Sequence, residues 1–439
     1  MVSNLKNRIV NLLQKTLVQH TLSMLASRGI GILLQGAYFT IIARTLGVND
    51  YGLFIGVAAF VGILNPFSSL GFGKILIQNV ARNHALFGEY WGNALFMSFT
   101  SGGAIAVLAT AVGYALLPDI GTPVILPLIA VADLIFYQVY KVAIDALNSL
   151  ELIHWIAKLG IAFRLSSLIG VLCLSNFWGN SNSGVTAWAI IYLVVRIAAA
   201  LSATFLVCRM LGRPKLALSR IPTELKEGFY FSIGSSSATI YNDIDKSMLA
   251  RMSTLEATGI YGAAYRIITV AVTPVFALLA STYASFFRQG KNGIKGSFNV
   301  AKRLVPIAGL YGAMASLGLI IFAPIIPYVL GNEYSNSVNT VRWLAPLVFF
   351  KPIQLLAADT LTGAGFQGLR STTQLLVAAF NTLANLWLIP LYSWKGAVWS
   401  SLASDGLLVL ILWALVFFMT HQKNTNNRMP SVIKKEIEK

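Results

Sequence analysis

Residues 241–266 read YNDIDKSMLARMSTLEATGIYGAAYR. Asp243, Asp245, Lys246, Arg251 and Arg266 stand there among residues as apolar as lipid tails, where every charge needs a physical reason. The frame of this stretch occurs twice. Ala43-Arg44, seven residues and then Gly52-Leu53-Phe54 match Ala250-Arg251, seven residues and then Gly259-Ile260-Tyr261, 207 positions later in a chain of 439 residues. An offset so close to half the length points to a duplicated unit.

The surroundings decide the class. The chain is 56% hydrophobic and 11% charged with mean hydropathy +0.69, whereas an average soluble domain has roughly 25% charged residues. This composition reads as an all-α integral membrane protein. The net charge of +17 does not point to nucleic acid, because Lys and Arg cluster in short segments between apolar runs rather than interleaving with aromatics on one face. Cys173 and Cys208 lie within or at the end of apolar runs and read as packing residues, with neither metal spacing nor a disulfide framework. His20, His84, His154 and His421 fall at predicted helix ends or loops on one side, an arrangement that gives no buried metal site. The polar start MVSNLKNRIVNLLQKT leads into a full-length span rather than a short apolar core with a cleavage site, so no signal peptide is expected.

At about 20 apolar residues per span, the pattern predicts twelve helices, over 20–46, 50–73, 90–117, 121–146, 154–175, 184–208, 228–252, 258–285, 303–330, 338–362, 370–391 and 396–420. Alternate connections carry the basic residues: Lys74 and Arg82, Lys158, the run Arg209 to Lys226, the run Arg288 to Arg303, and Arg370. The others read GVND, PDIGTP, NFWGNSNS, STLEAT, GNEYSNS and YSWK. The positive-inside rule then places both termini in the cytoplasm, with the basic loops on anionic headgroups. Arg44 and Arg251 break the rule at the outer side, and each has an acid a few residues on (Asp50, Glu256), so a pair at the outer rim is expected.

Six helices per half give two parallel lobes related by a pseudo-two-fold axis along the membrane normal. The expected division is 1–210 for the N-terminal lobe, 211–227 for a basic cytoplasmic linker, 228–420 for the C-terminal lobe and 421–439 for a basic cytoplasmic tail. Pro66, Pro127, Pro274, Pro324, Pro327 and Pro352 fall inside predicted spans and mark bends.

Charges inside the spans carry the functional question, since each is worth about 2.5–3.5 kcal/mol against insertion at the centre of an isolated helix. Lys141 with Asp145 and Asp243 with Lys246 have the spacing of local ion pairs. Arg28, Arg164, Arg196, Arg266 and Lys351 have no acid three or four residues away. Each either finds a partner on another helix or forms a cation site for an anionic cargo, and arginine suits phosphate because its planar fork bonds two oxygens at once. Asp133, Asp245, Asp359 and Asp405 are candidates for a coupling-ion site, H+ or Na+, with Asp245 first because it adjoins Lys246 and shares a helix pair with Arg266. No cofactor or metal is expected. Nor is catalysis, because the outer connections are short and poor in His and acids, and no P-loop, G-x-S-x-G or H-E-x-x-H occurs.

In four passages the chain resembles the Wzx-type oligosaccharide flippases, in the superfamily that also holds multidrug and toxin extruders and lipid II flippases. They are ARTLGVNDYGLF (43–54), DIDKSMLARMSTLEATGIYGAAYR (243–266), GNEYSNSV (331–338) and NTLANLWLIPLYSWKGAVWSSLASD (381–405). The resemblance implies a plasma (inner) membrane flippase that moves polyprenyl-diphosphate-linked sugars from the cytoplasmic to the outer leaflet by alternating access. It places Arg28 and Arg266 where these flippases hold basic cavity residues, so Arg28, Arg266, Arg164, Arg196, Lys351 and Lys246 form the candidate diphosphate set. Its implied partners are the lipid-linked sugar, the bilayer and other polysaccharide-assembly membrane proteins. A cation-coupled multidrug antiporter is the alternative, set back because the first helix has Arg28 and Arg44 but no acid. A membrane polymerase or ligase stands behind both.

Overall fold

The computed structural model describes the backbone of residues 2–117, 123–178, 183–291 and 293–426, and side chains from 29 to 421 outside the gaps and positions 234, 235, 237, 238, 277, 280, 281 and 284. Every regular element there is helical. Two compact units divide the chain, 1–51 with 64–233 and 52–63 with 234–439.

α1 (Val2–Leu64) begins in the first unit, gives its residues 52–63 to the second, and bends at Gly47, where φ 71° and ψ 175° lie in a region open in practice to glycine alone. After a 3-10 turn at Asn65–Phe67 and a left-handed Gly71, α2 (Phe72–Arg82) follows. The predicted second span, set at 50–73, therefore stops at Leu64, and a separate short helix takes over. Phe72, Ile75, Leu76 and Val80 recur at helical spacing and are buried against Trp91, Tyr140, Val142 and Ala143 of later helices, while Lys74 and Arg82 stay exposed. Each such burial contributes about 1.5–3 kcal/mol.

Next come α3 (Phe87–Leu116), α4 (Ile125–Val131), α5 (Tyr137–Ser149), α6 (Ile153–Trp178) and α7 (Gly184–Leu211). Pro127 sits in the first turn of α4, where its missing N–H has no partner to lose. One π-helical turn, Ala132–Phe136, joins α4 to α5 and carries Asp133. The linker is tied down. The Lys215 N–H donates to the Gly88 carbonyl at 2.8 Å, the Asn93 amide bonds both the N–H (2.9 Å) and the carbonyl (3.0 Å) of Ala217, and Arg220 pairs with Glu89 at 2.7 Å.

The second unit holds the rest of α8 (Ile221–Met252), then α9 (Leu255–Gly290), α10 (Ile294–Phe322), α11 (Ile326–Leu330), α12 (Ser335–Leu344), α13 (Leu347–Gly363), α14 (Gln367–Tyr392) and α15 (Trp394–Asn426). Thr254 caps α9 by accepting from the Ala257 N–H, and Glu256 occupies its first turn. Backbones approach closely at glycines. A methyl on Gly52 would meet the Leu255 carbonyl and lie 2.8 Å from the Gly259 nitrogen, so the two positions of the repeated frame touch each other. Predicted helix ten, 338–362, is two pieces, with a 43° bend between Asn332–Leu344 and Leu347–Gly363.

Nine helices among the described residues are long and apolar enough to cross a membrane, ten if the bent pair is one span. The chain is thus a multi-pass membrane protein. The count differs from twelve at identifiable places. Gly29–Phe67 registers as one stretch of 39 residues, though at 1.5 Å per residue it is about twice the length that a 30 Å hydrocarbon layer needs. α8, with its in-span charges, is not among the nine. The outer-rim pairs are absent too. Arg44, Arg251 and Glu256 are exposed, and no ion pair joins Arg44 to Asp50 or Arg251 to Glu256 among the described residues. The bend at Gly47 breaks the helical register between Arg44 and Asp50, and exposed pairs gain only about 0–1 kcal/mol to hold them together.

Candidate functional site

In the first unit the polar side chains inside the spans converge on α5, α6 and α7. Arg196 on α7 pairs with Asp133 (Nε to Oδ1, 3.2 Å) and donates to the Tyr192 hydroxyl, which bonds both oxygens of Asp133 at 3.0 and 3.1 Å. Aromatic rings close around the guanidinium: Tyr137 at 4.1 Å, Tyr192 at 4.6 Å and Phe163 at 4.8 Å to the ring centres. Arg196 is thus engaged by an acid and three rings of its own unit, although its buried Nη1 makes no hydrogen bond among the described residues. Beside it, Asn65 bridges, donating to the Asp133 carbonyl (3.1 Å) and accepting from Lys141 (3.1 Å).

The expected local pair of Lys141 with Asp145 does not form. α2 carries Lys74 to Asp145 at 3.3 Å, and Lys141 turns to Asn65 instead. Arg164 on α6 is half-buried and has no acidic partner among the described residues. Its guanidinium lies over Gly31 of α1, where a methyl group would come within 2.7 Å of Nη1. Arg28 keeps its place on α1, but its side chain lies outside the described residues.

In the second unit the organising residue is Lys246. Its ammonium lies 3.0 Å from Asp243 and 3.4 Å from Asp245, above the ring of Tyr265 at 4.1 Å. The expected Asp243–Lys246 pair is therefore present. Tyr261 donates to Asp245 and meets Ser401 at 2.9 Å. Lys351 on α13 pairs with Asp405 on α15 at 3.0 Å and sits over Tyr241 at 4.7 Å. Arg370 reaches Asp359 at 3.4 Å and Thr362 at 2.8 Å. Arg266 on α9 is half-buried and, among the described residues, has no ion pair and no side-chain hydrogen bond.

The ten candidate residues therefore fall into three groups. Arg196, Lys351 and Lys246 are engaged with carboxylates, and Asp133, Asp245, Asp359 and Asp405 are their partners or that of Arg370. Arg164 and Arg266 are in-span arginines without an acidic partner among the described residues. Arg28 lies outside the described side chains.

Residues 17–286, more than half of the chain, match the family described as polysaccharide biosynthesis protein. The chain belongs to that family. It is 21% identical over 338 residues to the "Putative O-antigen transporter" of Escherichia coli (strain K12), covering 73% of this chain and 77% of that one. Among solved structures it is similar to a multidrug resistance MATE family transporter of the MOP superfamily in an inward-facing conformation, with TM-score 0.71 at 14% identity over 89% of this chain and 96% of that one. It is also similar to the lipid II flippase MurJ in an inward closed conformation, with TM-score 0.65 at 15% identity over 91% and 87% of the two chains. The structural likenesses show a shared fold, and with the family match they bear out the resemblance to Wzx-type flippases.

In this family member the passage 381–405 builds a buried polar ladder that residue-by-residue reading did not isolate. Asn381 donates to Ser404 at 3.0 Å, Asn385 donates to Asn381 at 3.0 Å, and Ser400 donates to Asn385. Ser401 and Asp405 continue the same helix into the Tyr261 and Lys351 contacts. The signal was present in the i, i+4 spacing of Asn381 with Asn385 and of Ser400 with Ser404 and Ser401 with Asp405 in an otherwise apolar run.

Proposed function

We propose that this protein is a flippase that carries polyprenyl-diphosphate-linked oligosaccharide units from the cytoplasmic to the outer leaflet of the plasma (inner) membrane, by alternating access, for cell-surface polysaccharide. Arg266 is the observation that carries the reading. A half-buried guanidinium on an apolar helix, with no acid to neutralise it among the described residues, is costly unless an anion visits it. Arg164 offers a second such group over Gly31, and Arg28 is the third member of the set. A diphosphate brings about two negative charges that must cross a low-dielectric layer, and the arginine fork matches its oxygens. The protein acts as a transporter without catalytic chemistry.

The proposed architecture is twelve spans in two six-helix lobes, 1–210 and 228–420, joined by the linker 211–227, with a tail at 421–439 and both termini cytoplasmic. α1 supplies two spans across Gly47, α8 supplies the seventh despite its charges, and the bent α12–α13 pair supplies the tenth. A multidrug antiporter is disfavoured because the first helix has Arg28 and Arg44 but no acid to hold a coupling cation.

The test is reconstitution into vesicles containing a polyprenyl-diphosphate-linked oligosaccharide, scored by access of the sugar to an impermeant lectin. The protein should accelerate exchange of the sugar between leaflets, and Arg266→Ala should not. Acceleration of a cationic dye efflux with no movement of the lipid-linked sugar would reverse the assignment.

A further inference from the structure

Before its bend, α1 turns one face outward and one toward its own unit. Ile30 and Leu33 are 47% and 75% exposed and Arg44 stays open, whereas Gly31, Phe39, Ile42 and Leu46 are buried. At 3.6 residues per turn the four buried positions fall within about 80° of one another, and Gln35 lies in the middle of that arc. The inward face leans on α6 and α7 at three heights. A methyl on Gly31 would come within 2.7 Å of the Arg164 guanidinium, the rings of Tyr38 and Trp188 stand 5.9 Å apart, and a methyl on Gly184 would lie 3.9 Å from Leu46.

Gln35 sits between the first two heights, four positions beyond Gly31 and three before Tyr38. It is half-buried, and its amide, which offers two N–H donors and an acceptor oxygen, has no hydrogen-bond partner among the described residues. Other amides of this unit are used. Asn65 donates to the Asp133 carbonyl, Gln138 to Ser69 at 2.6 Å and Asn93 to the Ala217 carbonyl. An amide turned into its own unit without such a partner costs free energy until a group from outside the chain bonds to it.

We infer that Gln35 is a specificity-determining residue that binds the sugar attached directly to the diphosphate, with the ring of Tyr38 as the wall of the same subsite. This rests on the flippase reading, because a diphosphate on the Arg164 fork is what brings the sugar to Gln35. From Gly31 to Gln35 the helix advances about 6 Å, the reach of a single pyranose, so the sugar bonded to that diphosphate lies beside the amide. The amide donates to one sugar oxygen and accepts from a neighbouring hydroxyl, and Tyr38 offers an apolar ring face to the C–H side of the sugar. A cargo without a sugar leaves the amide unpaired. A site built to hydrogen-bond a hydroxyl discriminates against an analogue that lacks it.

The experiment measures binding to the full chain in nanodiscs of polyprenol, polyprenyl diphosphate, and polyprenyl diphosphate carrying glucose, galactose or N-acetylglucosamine. Wild type should bind the diphosphate better than the alcohol, and at least one glycosylated lipid better than the bare diphosphate, by roughly 2- to 12-fold for one neutral hydrogen bond. Gln35→Ala should abolish the preference for the sugar and leave affinity for the bare diphosphate unchanged. Gln35→Met, which keeps most of the volume and removes the amide, should do the same, and melting temperatures equal to wild type separate this effect from loss of the fold. Arg164→Ala should weaken the bare and the glycosylated diphosphate alike. A wild type without preference for any of the three sugars, a preference that survives Gln35→Met, or an equal loss for the bare diphosphate overturns the subsite while leaving diphosphate binding in place. A wild type that binds the diphosphate no better than the alcohol removes the flippase reading, and the subsite with it.

Discussion

Arg266 and Arg196 look alike in the sequence, and their surroundings give opposite expectations for substitution. Arg266→Ala removes an unpaired guanidinium, so the amount of inserted protein should hold while transport falls, by about 1.5–3 kcal/mol for each charge-assisted hydrogen bond to the cargo, roughly 10- to 150-fold for one bond. Quantified membrane protein beside sugar translocation checks both halves. Arg196→Ala instead strands Asp133 in a closed aromatic site, at a cost of about 3–5 kcal/mol, and should lower the folded yield and melting temperature. The double variant Asp133→Asn with Arg196→Gln should recover part of that loss, and a double variant no more stable than Arg196→Ala alone would show the pair is not the cause.

Which arginine belonged to which class was not legible in the chain. Asp133 and Arg196 are on different helices, as are Lys351 and Asp405, and spacing along one helix says nothing of a partner on another. Local spacing did reveal Asp243 with Lys246, which share a turn. It failed for Lys141 with Asp145, because α2 carries Lys74 across to take the acid.

At the scale of elements, the long apolar runs made the membrane helices legible, while the breaks between them were not. α2 was read as a basic connection after residue 73 because Lys74, Gln78 and Arg82 end a hydropathy window, although its 72, 75, 76, 80 spacing was a helical signal in plain view. The repeated frame proved informative for packing, since Gly52 and Gly259 meet at a backbone contact. Gly52→Ala should therefore destabilise by about 1–3 kcal/mol through overpacking, whereas Gly318→Ala, with nothing within 4 Å of the added carbon, should be neutral or gain up to about 1 kcal/mol in helix propensity. Paired thermal melts of the two variants check this. Asn93→Ala leaves both backbone groups of Ala217 without their side-chain partner and should speed amide exchange there. Unchanged exchange at Ala217 would mean the linker is not held by Asn93.

For the whole molecule, the flippase account ties a membrane topology to a cargo. Cysteine labelling from either side should find the linker and the tail accessible from the cytoplasm and GNEYSNS accessible from outside, and labelling of the linker from outside would reverse the orientation. The family and the transporter fold were within reach of the sequence because they rest on hydropathy, charge asymmetry and motifs spread over the chain. The in-span arginines on which the proposed cargo site rests were not, because partners on other helices show only in the folded chain. The most direct measurement is therefore made in cells depleted of this protein, by asking which leaflet holds the polyprenyl-diphosphate-linked sugar. The account predicts that the sugar accumulates on the cytoplasmic face, and that the wild-type chain clears it while Arg266→Ala does not. No accumulation on depletion, or full clearance by Arg266→Ala, would contradict it.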